Sequence, residues 1–437
     1  MPKTSNSTSK RAKSPYSYSL DAKIRQLLLV NPTLDFKVAL RTLNSLPTLS
    51  IRDKEGWVKT LEQKRSEFEI DAIENSDAAD YVRDHIKMWN THIGPLSLTD
   101  VSTIIKNSDI KLAEVAGDLL CPKEISLMLN QFLIGQEEYS HKLALCFYLH
   151  IMRNKSDMQL PRANLLAYGP SGVGKTFGPQ KLAELFGFHL GIVNCNNLVQ
   201  EGIHGPRITD VFDYLYGLAD CDEDNITDAV ILFDEFDKLF APGEFNERIL
   251  NELLNVIDDN NSVSFTHGYN DLVRIPTKNM LFIFSGVFKG IERIVAKRLN
   301  AHGVGFECQA NRNAILGDYH KYVQEADFAN FFKRDELTGR ISQYAYVNNM
   351  TVDTMTHILL EAKESPFCNF QNYFSTKGIH LYITLEGAKA IAQHAYNRKL
   401  GVRGLKSTLF EVLDDHMYSL TPDDIIVDEE FVKRKIA

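Results

Sequence analysis

Long apolar runs are missing from this chain of 437 residues: none could cross a bilayer, and the first residues carry no apolar signal-peptide core. The expected location is therefore cytoplasmic, with no membrane partner. Cysteine is sparse and scattered, at Cys121, Cys146, Cys195, Cys221, Cys308 and Cys368, with no C-x-x-C pair. That spacing excludes a zinc ribbon and a disulfide framework, and it fits reduced thiols. Basic residues do not prevail either. Acids outnumber Lys and Arg by 57 to 48, for a formal net charge of −9, which argues against a surface built to coat nucleic acid. No internal repeat is visible. What is present is an ordinary globular composition, 44% hydrophobic and 24% charged, enough for about two to four domains that each bury a core.

The texture changes along the chain. Residues 1–19 are Ser-rich and carry Lys3, Lys10, Arg11 and Lys13 with no acid before Asp21, the composition of a solvated, disordered tail; a transit peptide is the alternative. Residues 20–120 show helical stripes: Leu20, Ile24, Leu27 and Leu28, then Phe36, Ala39, Leu40 and Leu43, with Pro32 and Pro47 as stops. Trp57, Leu61 and Phe68, and then Val82, Ile86 and Trp89, continue the pattern. An all-helical N-terminal domain that recognises a partner or substrate is expected there. From Cys121 on, short apolar runs at 164–168, 189–194, 228–234, 279–285 and 344–348 alternate with amphipathic stretches. That alternation predicts an α/β region over 121–350 with a parallel sheet and its ligand at the strands' carboxyl ends. Residues 351–437 read as a smaller, mostly helical subdomain with a short strand near 379–383.

Chemistry concentrates in two places. Gly169-Pro-Ser171-Gly172-Val173-Gly174-Lys175-Thr176 is a complete G-x-x-x-x-G-K-T loop between an apolar run and an amphipathic stretch. Glycines let such a loop turn its N–H groups onto phosphates, the lysine reaches the β/γ oxygens, and the Thr hydroxyl ligates a metal. The second place is Ala229-Val-Ile-Leu-Phe233-Asp234-Glu235, a buried strand that ends in two acids. Asp234 is then placed to hold magnesium with Thr176, and Glu235 to polarise an attacking water. ATP and Mg2+ are the expected cofactors, and ATP hydrolysis the expected reaction. Gly178-Pro179, just inside the following helix, should cost a backbone bond or bend its first turn.

From about Pro122 to Val432 the chain resembles the AAA+ ATPases of the Clp group, in particular the ClpX type, without that type's zinc-binding head. Pro122-Lys-Glu-Ile-Ser followed by Phe132-Leu-Ile134-Gly135-Gln136 is similar to the segment that packs on adenine, and Asp234-Glu-Phe-Asp-Lys238 to D-E-[IF]-D-K. Met280-Leu-Phe-Ile-Phe-Ser285-Gly286 resembles the sensor-1 strand, which sets Ser285 near the γ-phosphate. Asp335-Glu-Leu-Thr-Gly339-Arg340 resembles the segment that offers an arginine finger to the neighbouring subunit, and Gly401-Val-Arg403-Gly404-Leu405 the sensor-2 motif. The resemblance implies an AAA+ three-layer fold with a helical small subdomain, a homo-hexameric ring, and an ATP-driven motor that unfolds or remodels a protein client. A nucleotide-dependent switch or scaffold around a dedicated partner is the alternative.

Two loops bear on that choice. Gly202-Ile203-His204-Gly205 stands where threading rings carry the aromatic G-Y-V-G pore loop, so a weaker general grip on a narrower set of clients is expected. Gly303-Val304-Gly305-Phe306 stands where the ClpX type docks on the peptidase ClpP, which makes a ClpP-like peptidase a possible partner and a retained surface turn the alternative.

Overall fold

The computed structural model describes residues 120–155, 160–199, 205–258, 261–268, 271–300, 319–421 and 424–436. All lie in one compact unit, Leu119–Ala437. The tail expected at 1–19, the helical domain expected at 20–120 except its last residue, Gly202, Ile203 and His204 of the expected pore loop, and Val304, Gly305 and Phe306 of the expected docking loop lie outside the described residues.

Helices α1 (Pro122–Asn130) and α2 (Glu137–Lys155) lead into the sheet, α1 with proline in its first turn, where a missing N–H costs least. Strand β1 (Leu165–Tyr168) is buried along its whole length and runs through the glycine loop into α3 (Phe177–Phe186). There follow β2 (Leu190–Asn194), α4 (Asp210–Leu218), β3 (Val230–Asp234) and α5 (Glu244–Val256). A hairpin of β4 (Ser262–His267) and β5 (Asp271–Pro276) precedes β6 (Leu281–Gly286), α6 (Ile291–Asn300), α7 (Glu325–Phe332), the short α8 (Asp335–Thr338) and β7 (Gln343–Tyr346).

The five parallel strands lie in the order β2-β3-β6-β1-β7. Because all run the same way, the carboxyl ends of β1, β3 and β6 meet on one edge, and the residues that follow them share one crevice. Successive side chains alternate between faces. Leu166, Tyr168, Ile231, Phe233, Phe282 and Phe284 join one core cluster with α4, α5 and α7. Leu165, Ala167, Leu232 and Ile283, one residue out of phase, are equally buried against the opposite face. Packed aromatic rings stiffen the first face: Phe233 stacks on Phe284 at 5.4 Å, and Phe236 packs tilted against Phe284 at 4.6 Å.

The C-terminal part is helical, as expected. It comprises α9 (Val352–Glu361), α10 (Pro366–Ser375), β8 (Leu381–Ile383), α11 (Leu385–Asn397), α12 (Val402–Ser419), β9 (Ile425–Val427) and α13 (Glu429–Ile436). Thr351, Ser365 and Thr384 accept the N–H of the third residue of α9, α10 and α11, so each start is written locally as an N-cap. The α/β fold with a parallel sheet agrees with the expectation. The β4–β5 hairpin and β9, which pairs in parallel with β8, are additions to it. Among the described residues no helix is long and apolar enough to cross a membrane.

Candidate functional site

A cavity of about 1410 Å3 opens at the carboxyl edge of the sheet. Its floor contains Ser171, Gly172, Val173, Gly174, Lys175 and Thr176 from the loop, with Asp234 and Glu235 from the end of β3. Gly169 turns with φ +148, and a Cβ there would meet Val347 O at 2.4 Å, so only glycine lets the chain leave β1 beside β7.

Asp234 is the hub. Its Oδ2 accepts the Thr176 hydroxyl at 2.9 Å, and its Oδ1 accepts the Ser285 hydroxyl at 2.5 Å and the Glu235 N–H at 2.9 Å. One carboxylate therefore joins the phosphate loop, β3 and β6. Ser285 is fully buried, while Glu235, with φ 54, is turned out toward the cavity and exposed. The Thr176 hydroxyl and the Asp234 carboxylate form a hard oxygen pair, which suits Mg2+, an ion that takes one or two protein ligands and leaves the rest to phosphate and water. Among the described residues no group of three or more His, Cys, Asp or Glu could hold a metal on its own.

Lys175 is buried and donates to the carbonyls of Gly169, at 2.9 Å, and Pro170. Burial pulls its ammonium down from the ordinary lysine range to about 8, against the pull of Asp234 and Asp237 and with Arg403 adding to the drop. The Lys175 carbonyl would normally accept the N–H of the residue four places on, but that residue is Pro179. The fully buried Tyr139 of α2 takes the place of the missing donor, its hydroxyl 2.6 Å from Lys175 O. Gly178 makes room for it: a Cβ there would lie 3.1 Å from the Tyr139 hydroxyl oxygen. Burial holds the Tyr139 phenol well above its ordinary pKa, so it stays a donor. The bond expected to be lost at Gly178-Pro179 is thus replaced by a tertiary one.

The opposite wall comes from the C-terminal part. Helix α12 begins at the cavity and contributes Arg403 and Lys406; Phe132, Leu133 and Ile134 line the cavity ahead of α2. Gly401 meets Gly172 so closely that a Cβ on Gly401 would lie 2.5 Å from Gly172 O, and the Val402 N–H donates to that oxygen at 2.9 Å. A second joint is ionic. Lys181 of α3 donates to both carboxylate oxygens of Glu364 at 2.7 Å and lies 4.6 Å from the Phe132 ring centroid. The N-termini of α3, α10 and α12 thus border the cavity, and six cations line it, Lys175, Lys238, Lys289, Lys363, Arg403 and Lys406, against the four acids Asp234, Glu235, Asp237 and Glu364. That field suits a polyanion.

Arg340 is not part of this assembly. It does not line the cavity; its guanidinium donates to Asp258 Oδ2 at 2.7 Å and to Glu336 O at 2.9 Å, at the end of α5 and on α8. Its backbone carbonyl is pinned by the Asn164 amide at 2.8 Å, and the Asn164 side-chain oxygen accepts the Phe282 N–H of β6. Of the pore segment only Gly205 is described, with φ +151. Tyr139, Lys181, Glu364 and Asp258 were not singled out from the sequence; for Tyr139 a signal existed in the proline four residues after Lys175.

Comparison with known proteins agrees with this geometry. Residues 165–286 match the model of the ATPase family associated with various cellular activities (AAA). The chain is similar to the ATP-dependent Clp protease ATP-binding subunit ClpX of Borrelia duttonii, 27% identical over 318 residues that cover 68% of this chain and 74% of the relative. ClpX of Treponema denticola is 27% identical over 71% of this chain and 79% of its own length, and ClpX of Bacteroides fragilis 27% identical over 69% and 78%.

Proposed function

The chain is a ClpX-like AAA+ ATPase of the Clp group, and from that premise we propose that it works as a ring-forming motor that unfolds or remodels a protein client. The observation that carries the reading is the Asp234 hub, which gathers the Thr176 hydroxyl, the Glu235 N–H and the Ser285 hydroxyl onto one carboxylate. Bound ATP with Mg2+ would supply the bond to be cleaved and the counter-charge on its phosphates. Thr176 and Asp234 would hold the ion, the loop N–H groups and Lys175 would grip the phosphates, and Ile134 would line the base. Glu235 would orient and polarise water, with Ser285 fixing the Asp234 carboxylate beside it. Arg403, on α12, would report nucleotide occupancy to the C-terminal subdomain.

Arg340 completes the proposal because it lies away from its own cavity. Its place between Asp258 and Glu336 supports a role as a finger toward a neighbouring subunit, with six subunits as the assembly that the likeness suggests. The relatives are named as subunits of a protease, and we infer that this chain too can hand its client to a ClpP-like peptidase through Val304, Gly305 and Phe306. Gly202, Ile203, His204 and Gly205 would form the pore loop, and residues 20–120 would choose the client. Glu235→Gln tests the reading. It should bind ATP without turnover and hold both client and peptidase for identification by mass spectrometry, whereas a trap that retains neither would leave an ATPase without a remodelling role.

A further inference from the structure

A Cys–His–Asp relay lies outside the nucleotide cavity. Asp213 and Tyr216, three apart on α4, share a helix face, and Phe265 and His267, two apart on β4, share a strand face. The two faces meet: the Tyr216 ring packs edge-on against Phe265 at 5.9 Å and His267 at 5.1 Å. Past the end of α4 the chain turns through Asp220 and Cys221, and the Cys221 N–H returns to Tyr216 O at 2.9 Å. This sets Cys221 Sγ 3.6 Å from His267 Nε2, while His267 Nδ1 lies 2.7 Å from Asp213 Oδ1. A carboxylate only accepts, so Nδ1 carries the proton and the Nε2 lone pair faces the thiol. A nucleophile in reach of a base that a third group orients is the arrangement that activates a thiol. Cys221 is exposed, and neither it nor His267 nor Asp213 lines the nucleotide cavity.

We propose that Cys221, His267 and Asp213 form a second reactive site, at which Cys221 is thiolated by small cationic disulfides. His267 Nε2 takes the Cys221 proton, and the thiolate attacks one sulfur of the disulfide. The S–S bond breaks and a Cys221 mixed disulfide forms. The departing thiolate takes the proton back from His267. The Cys221 sulfur is oxidised and the leaving sulfur reduced, so the exchange balances. The charge preference comes from the rim, where Asp220, Asp222 and Glu223 are exposed and Asp271 pairs in register with His267. These acids repel an anionic disulfide and attract a cationic one.

The test uses the full chain with cystamine, a dication, and with oxidised glutathione, an anion, and reads each cysteine by peptide mass spectrometry. Cys121, also exposed, is the internal reference. Cys221 should take up the cystamine half at least about tenfold faster than Cys121. His267→Ala and His267→Gln should each bring Cys221 down to the Cys121 rate and leave Cys121 unchanged. Asp213→Asn should slow Cys221 by less, with Asp213→Glu restoring part of the loss. Cystamine should outpace oxidised glutathione at Cys221 by a wider margin than at Cys121. A Cys221 rate no higher than that of Cys121 in the unmutated chain, or one that both His267 variants leave intact, overturns the relay. Glutathione at least as fast as cystamine overturns the charge selection.

Discussion

On the floor of the cavity, Asp234 binds β3, β6 and the phosphate loop together through Ser285, Glu235 and Thr176, on strands whose side chains are buried on both faces. On the C-terminal wall, Arg403 and Lys406 stand on a helix joined to that floor through Val402 N–H and Gly172 O, with the Lys181–Glu364 pair as a second joint. The floor is preorganised: its groups are fixed by neighbours in the same sheet, which is what electrostatic catalysis requires. The wall is joined to it outside the sheet, through Val402 N–H on Gly172 O, Lys363 N–H on Gln131 O at 2.8 Å and the Lys181 pair with half-exposed Glu364, the kind of attachment that a hinge or shear movement would use. In the proposed reading, chemistry would belong to the floor and mechanical output to the wall.

The sharpest way to break that division is on the floor itself. Lys175→Ala should abolish nucleotide binding, whereas Glu235→Gln should preserve binding and lower turnover by at least about a hundredfold, because the two act at different steps. Equilibrium binding of a fluorescent ATP analogue and steady-state phosphate release separate them; normal turnover in Glu235→Gln removes Glu235 from its role.

Next in size is the group that belongs to neither region. Arg340→Ala should leave ATP binding intact and lower hydrolysis by about a hundredfold or more, as expected for a finger that acts on a neighbour's site. Mixing Arg340→Ala with Lys175→Ala subunits should restore part of the activity, since an intact pocket of one can face an intact arginine of the other. No recovery in mixed rings verified by mass spectrometry would place the finger elsewhere.

The floor was far more legible in the sequence than the wall, for a physical reason. The apolar runs that become the five sheet strands, and the loop and acids that follow them, are local patterns, since a parallel strand buried on both faces must be continuously apolar. Ser262–His267 alternates polar with apolar and has one face exposed, so β4 carried a weaker signal. The groups that complete the site from elsewhere are separated from their partners by 36 residues for Tyr139 and 183 for Glu364, and Asp258, which holds Arg340 outside the site, by 82. Only the fold brings such pairs together. Arg340 and Arg403 were visible through family likeness, yet their different placements, one on Asp258 and one in the cavity, could be read only from the structure.

A smaller effect is expected where floor and flank join. Tyr139→Phe removes the hydroxyl that satisfies Lys175 O and leaves a buried carbonyl without a donor, at about 1–3 kcal/mol of stability. Pro179→Ala returns a backbone N–H four residues after Lys175, and in the double variant it should recover part of that loss. Urea denaturation of the four proteins measures the coupling directly; additivity within about 0.5 kcal/mol would show that the two groups do not share the carbonyl.

The smallest effect distinguishes floor from wall by titration. Burial lowers the Lys175 ammonium to about 8, whereas a guanidinium such as Arg403 stays charged throughout. The folded pKa lies below the unfolded value, so below about pH 8 both states hold the proton and the fold bears the full cost of burying it. As pH rises from about 8 toward 10.5 the folded chain sheds that proton before the unfolded one, and this group's contribution to stability grows. Nucleotide binding should move the other way, because phosphates select the charged lysine. At pH 9 only about one lysine in ten remains protonated, so affinity should fall by up to about tenfold between pH 7 and 9. Titration of a non-hydrolysable ATP analogue into the unmutated chain and into Lys175→Arg checks this, since the arginine variant should be flat over the same range whatever its absolute affinity. Calorimetry at pH 8 in buffers of different ionisation enthalpy should also show proton uptake on binding in the unmutated chain and less in the variant. Equal pH slopes in the two proteins would mean that the floor's charge is not set by burial of Lys175.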